Sequence, residues 1–129
     1  MLACFPTPTV VRGTVIPGDQ RGRTIGFPTA NIALTDAHAD LRNGVYAGYA
    51  DAHGRRWPAA VNIGTRPTIG DDGPRLLEAH LIDFQGDLYG TELVVELVAR
   101  LRDERRFDSL PALVEQLRSD VIAARQLLD

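Results

Sequence analysis

Between positions 18 and 31 the chain sets Gly18, Gly22 and Gly26 at four-residue intervals, with Arg21 and Arg23 among them, and continues into Pro28, Thr29, Ala30 and Asn31. Glycine lets backbone amides come close to phosphate oxygens, and a guanidinium presents planar, permanently charged donors to the same oxygens. Thr29 and Asn31 add two neutral oxygens on what reads as one short loop. Mg²⁺ keeps most of its waters and completes its shell with a few protein oxygens and substrate phosphates, so such a pair is sufficient protein help. The same residues also fit a solvent loop followed by a turn, and spacing alone leaves both readings open.

Glu78 interrupts an otherwise apolar stretch and is a candidate general base. Alternation also permits an outward-facing strand glutamate with Leu77, Ala79 and Leu81 on the core side. His80 shares the Glu78 face and reads as a structural or surface histidine. Arg102, Asp103, Glu104, Arg105 and Arg106 form a charge cluster ahead of the last element, which by itself fits a solvated face. Tyr46, Tyr49, Tyr89 and Trp57 read as packing, and Asp36, Asp40, Asp71 and Asp72 as turn residues. The chain has no Walker A sequence, no GxGxxG after a strand, no HExxH and no GxSxG. It contains no lysine, so a phosphate clamp must use arginine or backbone amides.

These residues need a frame. A chain of 129 residues with 44% hydrophobic and 24% charged content predicts one globular domain over residues 1–129, with residues 1–8 as a loose leading segment. A net charge of −3 argues against nucleic acid as a partner. One cysteine, Cys4, permits no internal disulfide and fits the cytoplasm. No run reaches membrane-spanning length, and a membrane partner is not expected.

β-Branched and alternating residues predict strands over 9–16, 45–50, 57–63, 76–83 and 92–101. In the last, Leu93, Val95, Leu97, Ala99 and Leu101 are expected on the core face. Residues 18–31 read as loop. Beyond Phe107 the apolar residues Leu110, Leu113, Val114, Leu117, Val121, Ala124 and Leu128 recur at helical spacing, which predicts a helix over 109–128 with Ser109 or Asp108 as its cap and Pro111 in its first turn. Five or six strands and one amphipathic helix suggest an antiparallel sheet curled into a barrel with the helix outside it.

Residues 22–31, with their Pro28-Thr29-Ala30-Asn31 tetrapeptide, resemble the defining stretch of riboflavin kinases. Four further segments agree in order: Asn43-Gly44-Val45-Tyr46-Ala47, Asn62-Ile63-Gly64-Thr65-Arg66-Pro67-Thr68, the Glu78 strand running on to Asp87-Leu88-Tyr89-Gly90, and residues 101–110 with Arg102, Glu104 and Phe107. The resemblance covers roughly residues 11–128.

It implies a six-stranded antiparallel Greek-key barrel with a C-terminal helix. It also implies transfer of the ATP γ-phosphoryl group to the riboflavin 5′-hydroxyl, giving FMN and ADP, with Mg²⁺ or another divalent metal. By the same resemblance Thr29 and Asn31 hold the metal, and Glu78 receives the hydroxyl proton. Gly18, Arg21, Gly22, Arg23, Gly26, Pro28 and Thr29 meet the nucleotide, and Arg102, Glu104, Arg105 and Phe107 the flavin. The metal site is expected at one mouth of the barrel, and the protein is expected to be a monomer. Many bacterial members are fused to an FMN adenylyltransferase domain, for which this sequence has no room, so a free-standing kinase and a piece of a fused chain both remain open. Two other readings compete: a non-catalytic flavin- or nucleotide-binding barrel acting as a sensor, and an oligonucleotide-binding barrel, which the acidic balance and sparse aromatics disfavour.

Overall fold

A computed structural model describes residues 3–16, 29–68, 71–84, 86, 88, 90–105 and 109–128, with 3–8, 36, 66–68 and 71–74 described as backbone only. Among the described residues the fold comprises six strands, one α-helix and a short 3-10 turn at Asp36–His38: β1 (Ala3–Thr14), β2 (Ala30–Ala33), β3 (Gly44–Ala52), β4 (Arg55–Thr68), β5 (Asp71–Leu81), β6 (Glu92–Arg102) and α1 (Leu110–Leu128). All pairings are antiparallel, in the order β1-β6-β3-β4-β5-β2. Within that order β6-β3-β4-β5 is a Greek key, a three-strand meander whose fourth strand returns beside the first. The two edge strands nearly close the sheet, because the Ile16 amide donates to the Asn31 carbonyl at 2.8 Å in an isolated bridge. The structure is thus the expected nearly closed barrel with one C-terminal helix.

The β3–β4 hairpin turns in two residues. His53 (φ 50°) and Gly54 (φ 76°) both take left-handed backbone, as the tight turn that matches strand twist requires. Inside the barrel, Val11, Ile32, Tyr46, Val61, Ile63, Leu77, Leu93, Val95 and Leu97 are fully or almost fully buried in one cluster. Full burial of each such side chain contributes on the order of 1.5–3 kcal/mol, which makes this interior the principal source of stability. A second, smaller cluster on the outer face joins Ala47 and Ile82 to Ala124, with Leu101, Val121, Leu127 and Leu128 against it. This is where α1 docks. Ser109 caps the helix, its hydroxyl accepting from the Ala112 amide at 3.3 Å.

Four expectations change, and the first concerns Asp71 and Asp72, which read as turn residues but open β5 through pairing with β4. β1 begins at Ala3, paired with Arg100, so residues 3–8 form a strand and not a loose segment. Asn31 lies in a strand, β2, and not in a loop. This short strand is made by pairing to β5, since four residues following a glycine-rich stretch carry too little periodicity to announce it. The alternation of β6 does not run unbroken to Leu101. Register irregularities between Ala47 and Gly48, and between Val45 and Tyr46, shift the end of β6, and Leu101 packs on the helix-side cluster. Among the described residues, no helix is long and apolar enough to cross a membrane.

Candidate active site

Cross-strand register assembles one transverse row. Asn31 of β2 pairs with Glu78 of β5, Glu78 with Asn62 of β4, Asn62 with Val45 of β3, and Val45 with Arg102 of β6. Residues directly opposite in a ladder share a face. Their sequence neighbours Ile32, Leu77, Ala79, Val61 and Ile63 fill the interior, so the row Asn31–Glu78–Asn62 lies on the outer face, the side on which α1 docks. The side chains of this row therefore face the outside of the sheet and not its interior.

Asn31 is 4% exposed, and its Oδ1 accepts no hydrogen bond from any described residue. A buried acceptor without a donor costs about 1–3 kcal/mol unless something else fills its lone pairs. Its neighbours suit a cation: a half-buried glutamate across the ladder and the half-buried Thr29 two residues earlier in the chain. Hard oxygen donors of this kind match Mg²⁺ or a similar divalent ion.

The other end of the row is closed by the segment after β6. The Glu104 carboxylate lies directly over Gly64. A Cβ built on Gly64 would stand 1.9 Å from Oε2 and 2.7 Å from Oε1, so only glycine leaves room. The Asn62 side chain faces the same carboxylate and favours its charged form, while its strand register sets it beside Glu78. Partial desolvation of the Glu104 carboxyl pushes its pKa above the ordinary value, against the opposing pull of Asn62 and of the Arg75 and Arg102 charges. Arg75 is fixed by donating to Asn43 Oδ1 at 3.0 Å, to the His38 carbonyl at 3.1 Å and to the Leu41 carbonyl. Next door, the Arg100 guanidinium donates to Asp103 at 2.5 Å and holds that carboxyl below its usual pKa.

The structure thus brings Asn31 and Glu78 side by side, with Thr29 adjacent in sequence, and sets Glu104 against the same row. Arg102 turns to the helix, donating to both Asp120 oxygens at 2.9 and 2.8 Å, and Arg105 donates to Gln116 Oε1 at 3.2 Å. Gly18, Arg21, Gly22, Arg23, Gly26, Pro28 and Phe107 lie outside the described residues. Sequence reasoning passed over Asn62, Gly64, Arg75 and Asp120. Asn62 and Gly64 stood in a segment already singled out, but only the β4–β5 register reveals what they face.

The frame and its polar row define a flavokinase-type barrel. A solved riboflavin kinase from Trypanosoma brucei matches it with a TM-score of 0.70 and 29% identity, over 95% of this chain and 80% of that one. The riboflavin kinase (Flavokinase) family model matches residues 5–128, and the chain belongs to that family. Among curated relatives, a bifunctional riboflavin kinase/FMN adenylyltransferase of Pseudomonas fluorescens is 45% identical over 120 residues, covering 93% of this chain and 38% of that protein. An RNA-binding riboflavin kinase of Bacillus subtilis, RibR, is 42% identical over 114 residues, covering 88% of this chain and 48% of that protein. The chain therefore spans less than half the length of these two relatives.

Proposed function

We propose that the chain phosphorylates riboflavin, moving the γ-phosphoryl group of ATP to the 5′-hydroxyl and releasing FMN and ADP. The observation that carries this reading is the pairing of Asn31 with Glu78: a buried oxygen that no described donor fills and a carboxylate are neighbours on one row. Glu78 takes the hydroxyl proton as the new O–P bond forms and the bond to the leaving ADP oxygen breaks. Thr29 and Asn31 hold the divalent ion, which when bound neutralises charge on the polyphosphate. Gly18, Arg21, Gly22, Arg23, Gly26 and Pro28 supply the nucleotide contacts. The flavin lies on the Glu104, Arg105 and Phe107 side, where Glu104 and Asn62 close the row next to the acceptor hydroxyl.

Phosphoryl transfer asks mainly for alignment and charge stabilisation, so two anchored ends flanking one base are an adequate apparatus. Support also comes from the family membership and from the names of the relatives. The name of the Pseudomonas fluorescens relative pairs the kinase with an adenylyltransferase, and only the kinase step is proposed for these residues.

The deciding experiment incubates the purified chain with riboflavin, ATP and Mg²⁺ and separates the flavins by chromatography. FMN that accumulates with time and protein concentration is the expected result. Riboflavin binding with no FMN under Mg²⁺, Mn²⁺ or Zn²⁺ would overturn it and favour a barrel that binds without turnover.

A further inference from the structure

Asp120 is a charged residue with 4% exposure on a helix that docks through an apolar cluster. A buried carboxylate is retained at a desolvation cost of several kcal/mol unless it is fully paired. Here the pairing is complete. Arg102 Nε and Nη2 donate to the two oxygens at 2.9 and 2.8 Å, and Gln116 Nε2 donates to Oδ1 at 3.1 Å. The remaining Arg102 nitrogen, Nη1, donates to the Asp103 carbonyl at 2.9 Å, and Gln116 Oε1 accepts from Arg105 at 3.2 Å. One buried carboxylate thereby fixes the backbone at Asp103 and the side chain of Arg105, on either side of Glu104.

Helix docking has other support: the apolar cluster, the Tyr49 hydroxyl donating to the Leu128 carbonyl at 2.7 Å, and the exposed Arg125–Asp83 pair at 2.8 Å. What those contacts do not hold is the segment leaving β6. We infer that Asp120 is a positioning residue for the flavin side of the site. Through Arg102 and Gln116 it fixes residues 103–105 so that the Glu104 carboxylate rests over Gly64 and against Asn62, one ladder position from Glu78. Each of the three guanidinium nitrogens of Arg102 bonds within the protein, as the bracket role requires. The inference deepens the proposed kinase reading and rests on it for its kinetic consequence.

The test uses Asp120→Ala, with Asp120→Asn as the milder variant and Arg125→Ala as a control that breaks the other helix-to-barrel ion pair. Backbone amide order parameters are recorded without ligand, and KM is measured for riboflavin and ATP separately. In Asp120→Ala, order parameters at 103–105 are expected to fall from about 0.85 to below about 0.6 while β5 stays rigid. Riboflavin KM is expected to rise about tenfold, with ATP KM within about twofold. Asp120→Asn, which keeps the shape and one acceptor, should fall between, and Arg125→Ala should change neither readout. Unchanged order at 103–105 in a folded variant overturns the bracket. So does loosening spread equally over β3, β4 and α1, or a proportional rise of both KM values. Should Asp120→Ala not fold, the same criteria apply to Asp120→Asn. A wild-type chain that makes no FMN defeats the kinase reading alone, and the order parameters still decide the bracket.

Discussion

Gly64→Ala isolates one contact. The added methyl carbon would sit 1.9 Å from Glu104 Oε2, 2.5 Å from Cδ and 2.7 Å from Oε1. Close carbon–oxygen contacts settle near 3.3–3.6 Å, so the carboxylate must retreat by roughly 1.5 Å. The strand has no need to move, since the colliding atoms are the far end of a flexible side chain on an exposed residue. The retreat loses the polar contact between Asn62 and Glu104. A bond to a charged group is worth about 1.5–3 kcal/mol, and solvent access at Glu104 favours the lower end. With 1.4 kcal/mol equal to a factor of ten, riboflavin KM should rise about tenfold if Glu104 helps to seat the flavin. ATP KM should stay within about twofold. Thermal melts should show a loss of about 1.5 kcal/mol, since the same contact is lost from the folded state. Steady-state kinetics with each substrate varied in turn, beside circular-dichroism melts, give both numbers. An unchanged riboflavin KM would refute the role given to the Glu104–Asn62 contact. A loss of several kcal/mol would show that Gly64 serves strand packing instead.

Other perturbations probe the same row. Glu78→Gln keeps shape and removes the proton acceptor. Single-turnover kcat should fall about 10²–10⁴-fold with riboflavin binding by fluorescence quenching preserved, and undiminished turnover would remove Glu78 from the base role. Asn31→Ala deletes a buried acceptor that has no partner among the described residues. The Mg²⁺ concentration for half-maximal rate should rise about tenfold, while the melting temperature holds or increases because an unsatisfied group has gone. A lower melting temperature with unchanged Mg²⁺ demand would contradict this. Glu104 has a pKa raised mainly by partial desolvation. The folded protein therefore binds that proton more tightly than the unfolded chain, and the associated stability is complete below the unfolded carboxylate pKa and lost as pH rises through the higher folded value. Glu104→Gln should flatten that decline in a urea-unfolding series across mildly acidic pH, and an unaltered slope would count against a raised carboxyl.

Much was legible before any coordinates. β3, β4, β5 and β6 follow from β-branched, alternating residues bounded by turn chemistry, and α1 from apolar residues at helical spacing behind a serine cap, because burial on one face imposes those periods locally. The Thr29, Asn31 and Glu78 candidates were likewise visible as residue types and as parts of a family pattern. What no period encodes is register. That Asn31, Glu78, Asn62, Val45 and Arg102 fall on one row depends on how strands distant in sequence slide into place, which the whole buried interior decides at once. β2 exists only because β5 offers it an edge, and irregular register in β3–β6 turns the end of β6 toward the helix. The charge cluster after β6 read as a solvated face until tertiary contact supplied Asp120, 18 residues further on, as the partner of Arg102. Sequence determined the elements and the chemical types, through local preferences that each segment carries by itself. Closure of the barrel decided which of those groups meet, since long-range pairing is a property of the assembled sheet.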